Sequence, residues 1–110
     1  MTPQEFVAKW RQSELKERSG YQEHFIDLCR LLDHGTPAEL DPTGLDFAFE
    51  AGVNKAGNGA QGWADVFKKG FFALEYKGKN KHASLEKAYQ QLLLYKDSLQ
   101  NPPLLIVSDF

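Results

Sequence analysis

The stretch FFALEYKGKNKHASLEKAYQQLLLYKDSLQNPPLLIV, residues 71–107, decides the fold. Its opening, FFALEYKG, alternates as a strand does, with Phe72, Leu74 and Tyr76 on a core face and Phe71, Ala73, Glu75 and Lys77 on the other. Ser84 then caps a helix that carries Leu85, Ala88, Tyr89, Leu92, Lys96 and Leu99 along one side, and Asn101, Pro102 and Pro103 end it. The apolar run LLIV at 104–107 reads as a second strand. Strand, helix and strand in that order form a crossover, which sets the two strands parallel in one sheet.

Working upstream, GWADVF at 62–67 joins FFALEYKG through the turn KKG as an antiparallel hairpin, so the sheet is mixed. LDFAFEAG at 45–52 supplies a first strand, with Leu45, Phe47 and Phe49 alternating against Asp46, Ala48 and Glu50. Thr2, Pro3 and Glu5 form a capping-box start for a helix expected to run to about Arg18, where Ser19 and Gly20 interrupt it. Tyr21, Phe25, Leu28, Cys29 and Leu32 recur at helical spacing in a second helix, closed by Gly35 and Pro37. The expectation is an α/β domain: a helical lead-in over 1–40 and a sheet core over 45–110 with one crossover helix.

With 110 residues the chain makes one domain and not two. Its end, NPPLLIVSDF, rises into an apolar strand and stops, so the chain is expected to be the N-terminal piece of a longer protein. A composition 42% apolar and 25% charged with net charge −2 excludes a disordered polyelectrolyte. Residues 65–82 hold Lys68, Lys69, Lys77, Lys79 and Lys81 against Asp65 and Glu75, a local +3 that leaves −5 for the rest. That balance suits an anionic ligand, although solvated lysines at strand ends explain such runs more often. Cys29 is the single cysteine, so an intrachain disulfide or cysteine-based zinc site is excluded, and the expected compartment is the cytoplasm. No apolar stretch is long enough to span a membrane, and MTPQEFVAKW lacks the pattern of a secretory signal.

GNGAQG at 57–62 matches the dinucleotide fingerprint letter for letter. That motif works only where its last glycine opens a helix whose N-terminus holds a pyrophosphate, and here the strand-like WADVF follows, so it reads as a loop.

The chemistry gathers at the hairpin. If KKG is a three-residue turn with Gly70 left-handed, Phe67 opposes Phe71 and Asp65 opposes Ala73, which puts Asp65 on the face of Glu75 and Lys77. Asp65 and Glu75 then sit on a cross-strand diagonal of about 7–8 Å, close enough to converge on one cation. Two such acids repel each other unless a proton or metal neutralises them. Mg²⁺ suits them, because it prefers oxygen ligands and binds through one or two carboxylates plus phosphate oxygens; the Tyr76 carbonyl could add a ligand. Lys77 is placed to orient or deprotonate a water and to counter charge on a phosphodiester. The plainer reading is a solvated strand face with a surface pair worth less than about 1 kcal/mol. Gln91 and Tyr95 lie one turn apart on the following helix and could border the same site, or form a packed flank.

Asp65, the Glu-x-Lys of residues 75–77 and the Gln-x-x-x-Tyr of residues 91–95 together resemble the PD-(D/E)xK nuclease signature with the extension of its RecB-like branch. More closely, ERSGYQEHFIDLC, FFALEYKG and AYQQLLLYKDSLQNPPLLIVSDF are similar to the N-terminal domain of MmeI-like type IIL restriction-modification enzymes, which join nuclease, adenine-N6 methyltransferase and target-recognition parts. The resemblance covers nearly the whole chain. It implies a restriction-endonuclease-like core, with Asp65 and Glu75 as metal ligands, Lys77 as the catalytic lysine and Gln91 and Tyr95 in support. It also implies a further acid from the first helical region, Glu17 with Glu23 behind it. Ala64 stands where the signature has proline, which supplies no ligand. His24, His34 and His82 have no spacing that makes a metal pair and receive no role.

The leading expectation is therefore a Mg²⁺-dependent endonuclease domain acting on double-stranded DNA, with Mn²⁺ able to substitute. S-adenosylmethionine would belong only to a methyltransferase part outside this chain. Lys68, Lys69, Lys79 and Lys81 would contact backbone phosphates, and the remaining domains of the parent chain would be partners. The alternatives are a catalytically inactive module that keeps the fold for DNA-backbone or interdomain docking, and a nucleotide-binding domain using GNGAQG.

Overall fold

The computed structural model describes residues 1–51, 64–78 and 82–109. Helices α1 (Pro3–Gln12), α2 (Glu17–Leu31) and the single turn α3 (Pro37–Leu40) precede strands β1 (Phe47–Ala51), β2 (Ala64–Lys68) and β3 (Phe72–Lys77); α4 (His82–Leu94) and β4 (Leu104–Asp109) complete the chain. The four described strands form one sheet in the order β1-β2-β3-β4. β1, β2 and β3 run antiparallel to their neighbours, and β4 lies parallel to β3 after the α4 crossover. The mixed sheet flanked by helices is the arrangement the strand–helix–strand pattern predicts.

Thr2 caps α1 with the expected box: its side chain accepts from the Glu5 amide, and Glu5 returns a bond to the Thr2 amide. The first helix stops earlier than expected, at Gln12, and Ser19–Gly20 lies inside α2 rather than between helices. A serine and a glycine in a helix cost about 1 kcal/mol in propensity. The burial of Tyr21, His24, Phe25 and Cys29 on one face of α2 outweighs that cost. A second capping box, Thr36 with Glu39 and Pro37 between, starts α3. Asp41 then fastens the start of β1: its carboxylate accepts from the amides of Asp46 (2.7 Å) and Phe47 (2.9 Å) and from the Thr43 hydroxyl (2.6 Å). Those donors hold the Asp41 carboxyl far below the usual carboxylate range.

Both faces of the sheet are covered. Trp10, Tyr21, Phe25 and Cys29 from α1 and α2 pack with Phe47, Val66, Leu74 and Tyr76 on one side. On the other, Leu92 of α4 and Leu99 beyond it pack with Phe67 and Ala73. The face that alternation assigns to polar residues is thus core at Phe67 and Ala73 and turns polar only toward Glu75 and Lys77, because a crossover helix must bury the face it crosses. α4 begins at His82, ahead of Ser84, and gives way to turns after Leu94, with Gln100 and Asn101 in left-handed conformations before buried Pro102. Cys29 packs in the core, as its helical position predicts.

Candidate functional site

The hairpin turn is three residues long but covers Lys69, Gly70 and Phe71, not Lys68 to Gly70. Gly70 has φ +80°, so the left-handed conformation falls where expected. Lys68 therefore pairs with Phe72, Phe67 with Ala73 and Val66 with Leu74. The slip seats Phe67 against small Ala73 under α4 and leaves Phe71 at the exposed tip. It is a slip of two residues, which preserves side-chain parity over the paired stretch.

The paired register ends at Val66 and Leu74, and side chains take over. Asp65 Oδ2 accepts from the Tyr76 amide at 2.8 Å, an acid standing where a strand carbonyl would be. In an extended strand a residue's N–H and C=O point to the same side, so the Tyr76 carbonyl is also directed toward β2. The Tyr76 ring goes the other way, into the core, where its hydroxyl meets His24 Nδ1 at 2.9 Å.

Burial pushes the Asp65 carboxyl up to about 6; the Tyr76 amide and the charge of Lys77 oppose the rise, and Glu17 and Glu50 add to it. Burial pushes Glu75 up to about 7, with the negative charge of Asp65 as the next cause and Lys77 opposing it. Glu75 Oε1 is fully buried and has no hydrogen-bond partner among the described residues. A buried carboxylate oxygen left without a donor costs roughly 1–3 kcal/mol, which a structural acid rarely bears. It fits an oxygen kept for a ligand.

Glu17 is the first residue of α2, and its Cβ lies 3.8 Å from where a side chain on Gly78 would begin, so α2 delivers it to the end of β3. Glu17, Arg18, Tyr21, Glu50 and Asp65 line one cleft of about 120 Å³. Glu23, the acid expected behind Glu17, is instead ion-paired with Lys9 at 2.7 Å on the far side of α2. Glu50 lines the cleft although the sequence does not single it out: its place depends on the β1–β2 register, and residues 52–63 between the two strands lie outside the described ones. So does GNGAQG, although the strand β2 that follows it is not the helix its fingerprint requires.

Tyr95 packs in the second apolar cluster and Gln91 is exposed. No hydrogen bond among the described residues links either to Asp65, Glu75 or Lys77. Lys68 and Lys69 lie at the opposite end of the hairpin. Lys68 Nζ is 3.1 Å from His34 Nε2 and sits over the rings of Phe47 (5.2 Å) and Phe71 (4.5 Å), while Lys69 is exposed. Lys79 and Lys81 fall outside the described residues. Among the described residues no three His, Cys, Asp or Glu side chains are gathered as a ready-made metal cage.

The family model described as "MmeI, N-terminal domain" matches residues 1–110. The chain belongs to the MmeI N-terminal domain family. Membership sets this MmeI N-terminal domain in the context of a restriction-modification enzyme. No curated protein and no solved structure matches the chain. No helix of the described residues is long and apolar enough to cross a membrane.

Proposed function

We propose that this chain is the metal-dependent DNA endonuclease domain of a restriction-modification protein, with a PD-(D/E)xK-type site at the open end of β2 and β3. The observation that carries the reading is the buried Oε1 of Glu75 without a hydrogen-bond partner among the described residues, on an acid whose pKa burial and the charge of Asp65 raise, with Lys77 opposing the rise. Two such carboxylates suit Mg²⁺, which keeps several waters and takes one or two protein carboxylates with phosphate oxygens, so a complete protein cage is not needed. Asp65 and Glu75 would hold the ion with the Tyr76 carbonyl, Glu17 standing nearby. The ion, when bound, supplies Lewis-acid stabilisation of charge on the phosphodiester.

The chain's own groups do the rest. The Tyr76 amide holds Asp65 in place, so that this acid is aimed before any ligand arrives. Lys77 sets its ammonium against the carboxylates and the phosphate oxygens and orients the attacking water. Double-stranded DNA is the substrate that the family context favours, with exposed Lys69, and Lys79 and Lys81, contributing backbone attraction that carries no base preference. Gln91 and Tyr95 would support the site from α4, and other domains of the parent chain would read the sequence.

Crystals soaked in Mn²⁺ test this directly. An anomalous peak between the Asp65 and Glu75 carboxylates is expected; none at millimolar Mn²⁺, with both side chains ordered, would overturn the reading and leave a docking module.

A further inference from the structure

The β1–β2 register pairs Phe49 with Val66 and Ala51 with Ala64, which sets Glu50 abreast of Asp65. Glu50 and Asp65 thus stand side by side on neighbouring strands and line one cleft. Like charges directly opposite in a sheet repel. Glu50 moreover has φ +54°, a left-handed conformation that a glutamate inside a strand rarely adopts. Alternation along β1 would point it to the side opposite Phe47 and Phe49; the left-handed residue turns it back toward α2. There Glu50 Oε2 accepts from the hydroxyl of buried Tyr21 at 2.5 Å, and Gln22 Nε2 donates to that same hydroxyl at 3.1 Å. The carboxylate is held facing the cleft that Asp65 and Glu17 also line. Backbone strain of this kind persists where surrounding structure imposes it, and it clusters at functional sites.

We propose that Glu50, clamped by Tyr21, is a positioning residue for the divalent cation of the Asp65–Glu75 site, acting on the ion's water shell and not as a direct ligand. This rests on the metal-site reading above. The Oε1 of Glu75, buried without a hydrogen-bond partner among the described residues, supports a cation there independently of Glu50. An outer role agrees with the lack of a three-residue cage among the described residues and with Mg²⁺ keeping most of its waters. The negative charge of Glu50 adds attraction for the hydrated ion, and the Tyr21 hydrogen bond fixes where that charge sits.

Calorimetric titration of the 110-residue chain with Mn²⁺ and thermal melting of the metal-free protein test the assignment together. Glu50→Gly, which removes the strain and the like charge, is expected to melt no lower than wild type while binding Mn²⁺ about tenfold more weakly. Glu50→Gln, which keeps the backbone and an acceptor for Tyr21, should lose a similar factor, and Tyr21→Phe a smaller one of about threefold. Wild-type Mn²⁺ affinity in both Glu50 variants overturns this proposal alone and makes Glu50 a structural residue. Wild-type protein that binds Mn²⁺ no better than Asp65→Asn overturns the metal site itself.

Discussion

Both ends of the β2–β3 hairpin carry charged side chains on or beside an apolar sheet, and they treat them in opposite ways. At the tip, Lys68 is paid for by His34, whose other ring nitrogen donates to the Gly35 carbonyl at 2.6 Å, and by the faces of Phe47 and Phe71. At the open end, Asp65 has one backbone donor, Glu75 keeps a buried oxygen without any, and both hold their protons well above the usual carboxylate range. Even within β3 the contrast repeats: Tyr76 is satisfied by His24 on one face while its neighbour Glu75 is left short on the other. The tip is built for stability, and the open end gives stability up where the proposed cation would restore it.

The most severe way to break this contrast is Lys77→Ala in a restriction-modification enzyme carrying the domain. Loss of a positioned acid–base group lowers rates by about 10²–10⁴-fold, so plasmid cleavage should fall by at least about a hundredfold; unchanged cleavage would leave the open end without chemistry. Next, Glu75→Gln should weaken Mn²⁺ binding by more than about tenfold while raising the melting temperature of the metal-free chain by a few degrees, since it removes a buried like charge. A lower melting temperature would show that Glu75 is structural after all.

The pH dependence sharpens the comparison further. Because the folded pKa values of Asp65 and Glu75, about 6 and about 7, lie above ordinary carboxylate values, the folded chain holds protons that the unfolded chain has lost between about pH 4 and 7. Metal-free stability should therefore be greatest below that window and decline as pH rises through it, by about 1–2 kcal/mol after solvent screening. Urea midpoints at pH 5 and pH 8 measure the decline, and saturating Mg²⁺ should reduce it. A flat profile would mean that neither acid is perturbed. The smallest effect belongs to the tip: Lys68→Ala should cost about 0.5–1 kcal/mol through lost cation–π contact and leave Mn²⁺ binding unchanged.

Much of this was legible in the residues. The crossover could be read because 71–107 switches from a period of two to a period near four and back, bounded by Ser84 and the 102–103 prolines. Glu75 and Lys77 share a face whatever the register, because alternation along one strand does not depend on its partner. TPAE at 36–39 repeats the TPQE capping pattern of 2–5 and starts α3 where Gly35 and Pro37 also close the helix before it. Local propensity puts the break between α1 and α2 at Ser19–Gly20, whereas the burial that carries α2 through that pair is set by the sheet beneath.

The sequence by itself determined the order of elements and the mixed sheet, since alternation and helical spacing are written in neighbouring residues. Only the tertiary structure decided which acids lie near Asp65. Glu17 is brought in and Glu23 turned away by the packing of α2 on the sheet, and Glu50 is added by strand register and a left-handed bend. These depend on contacts between residues far apart in the chain, and no local pattern of residues records them.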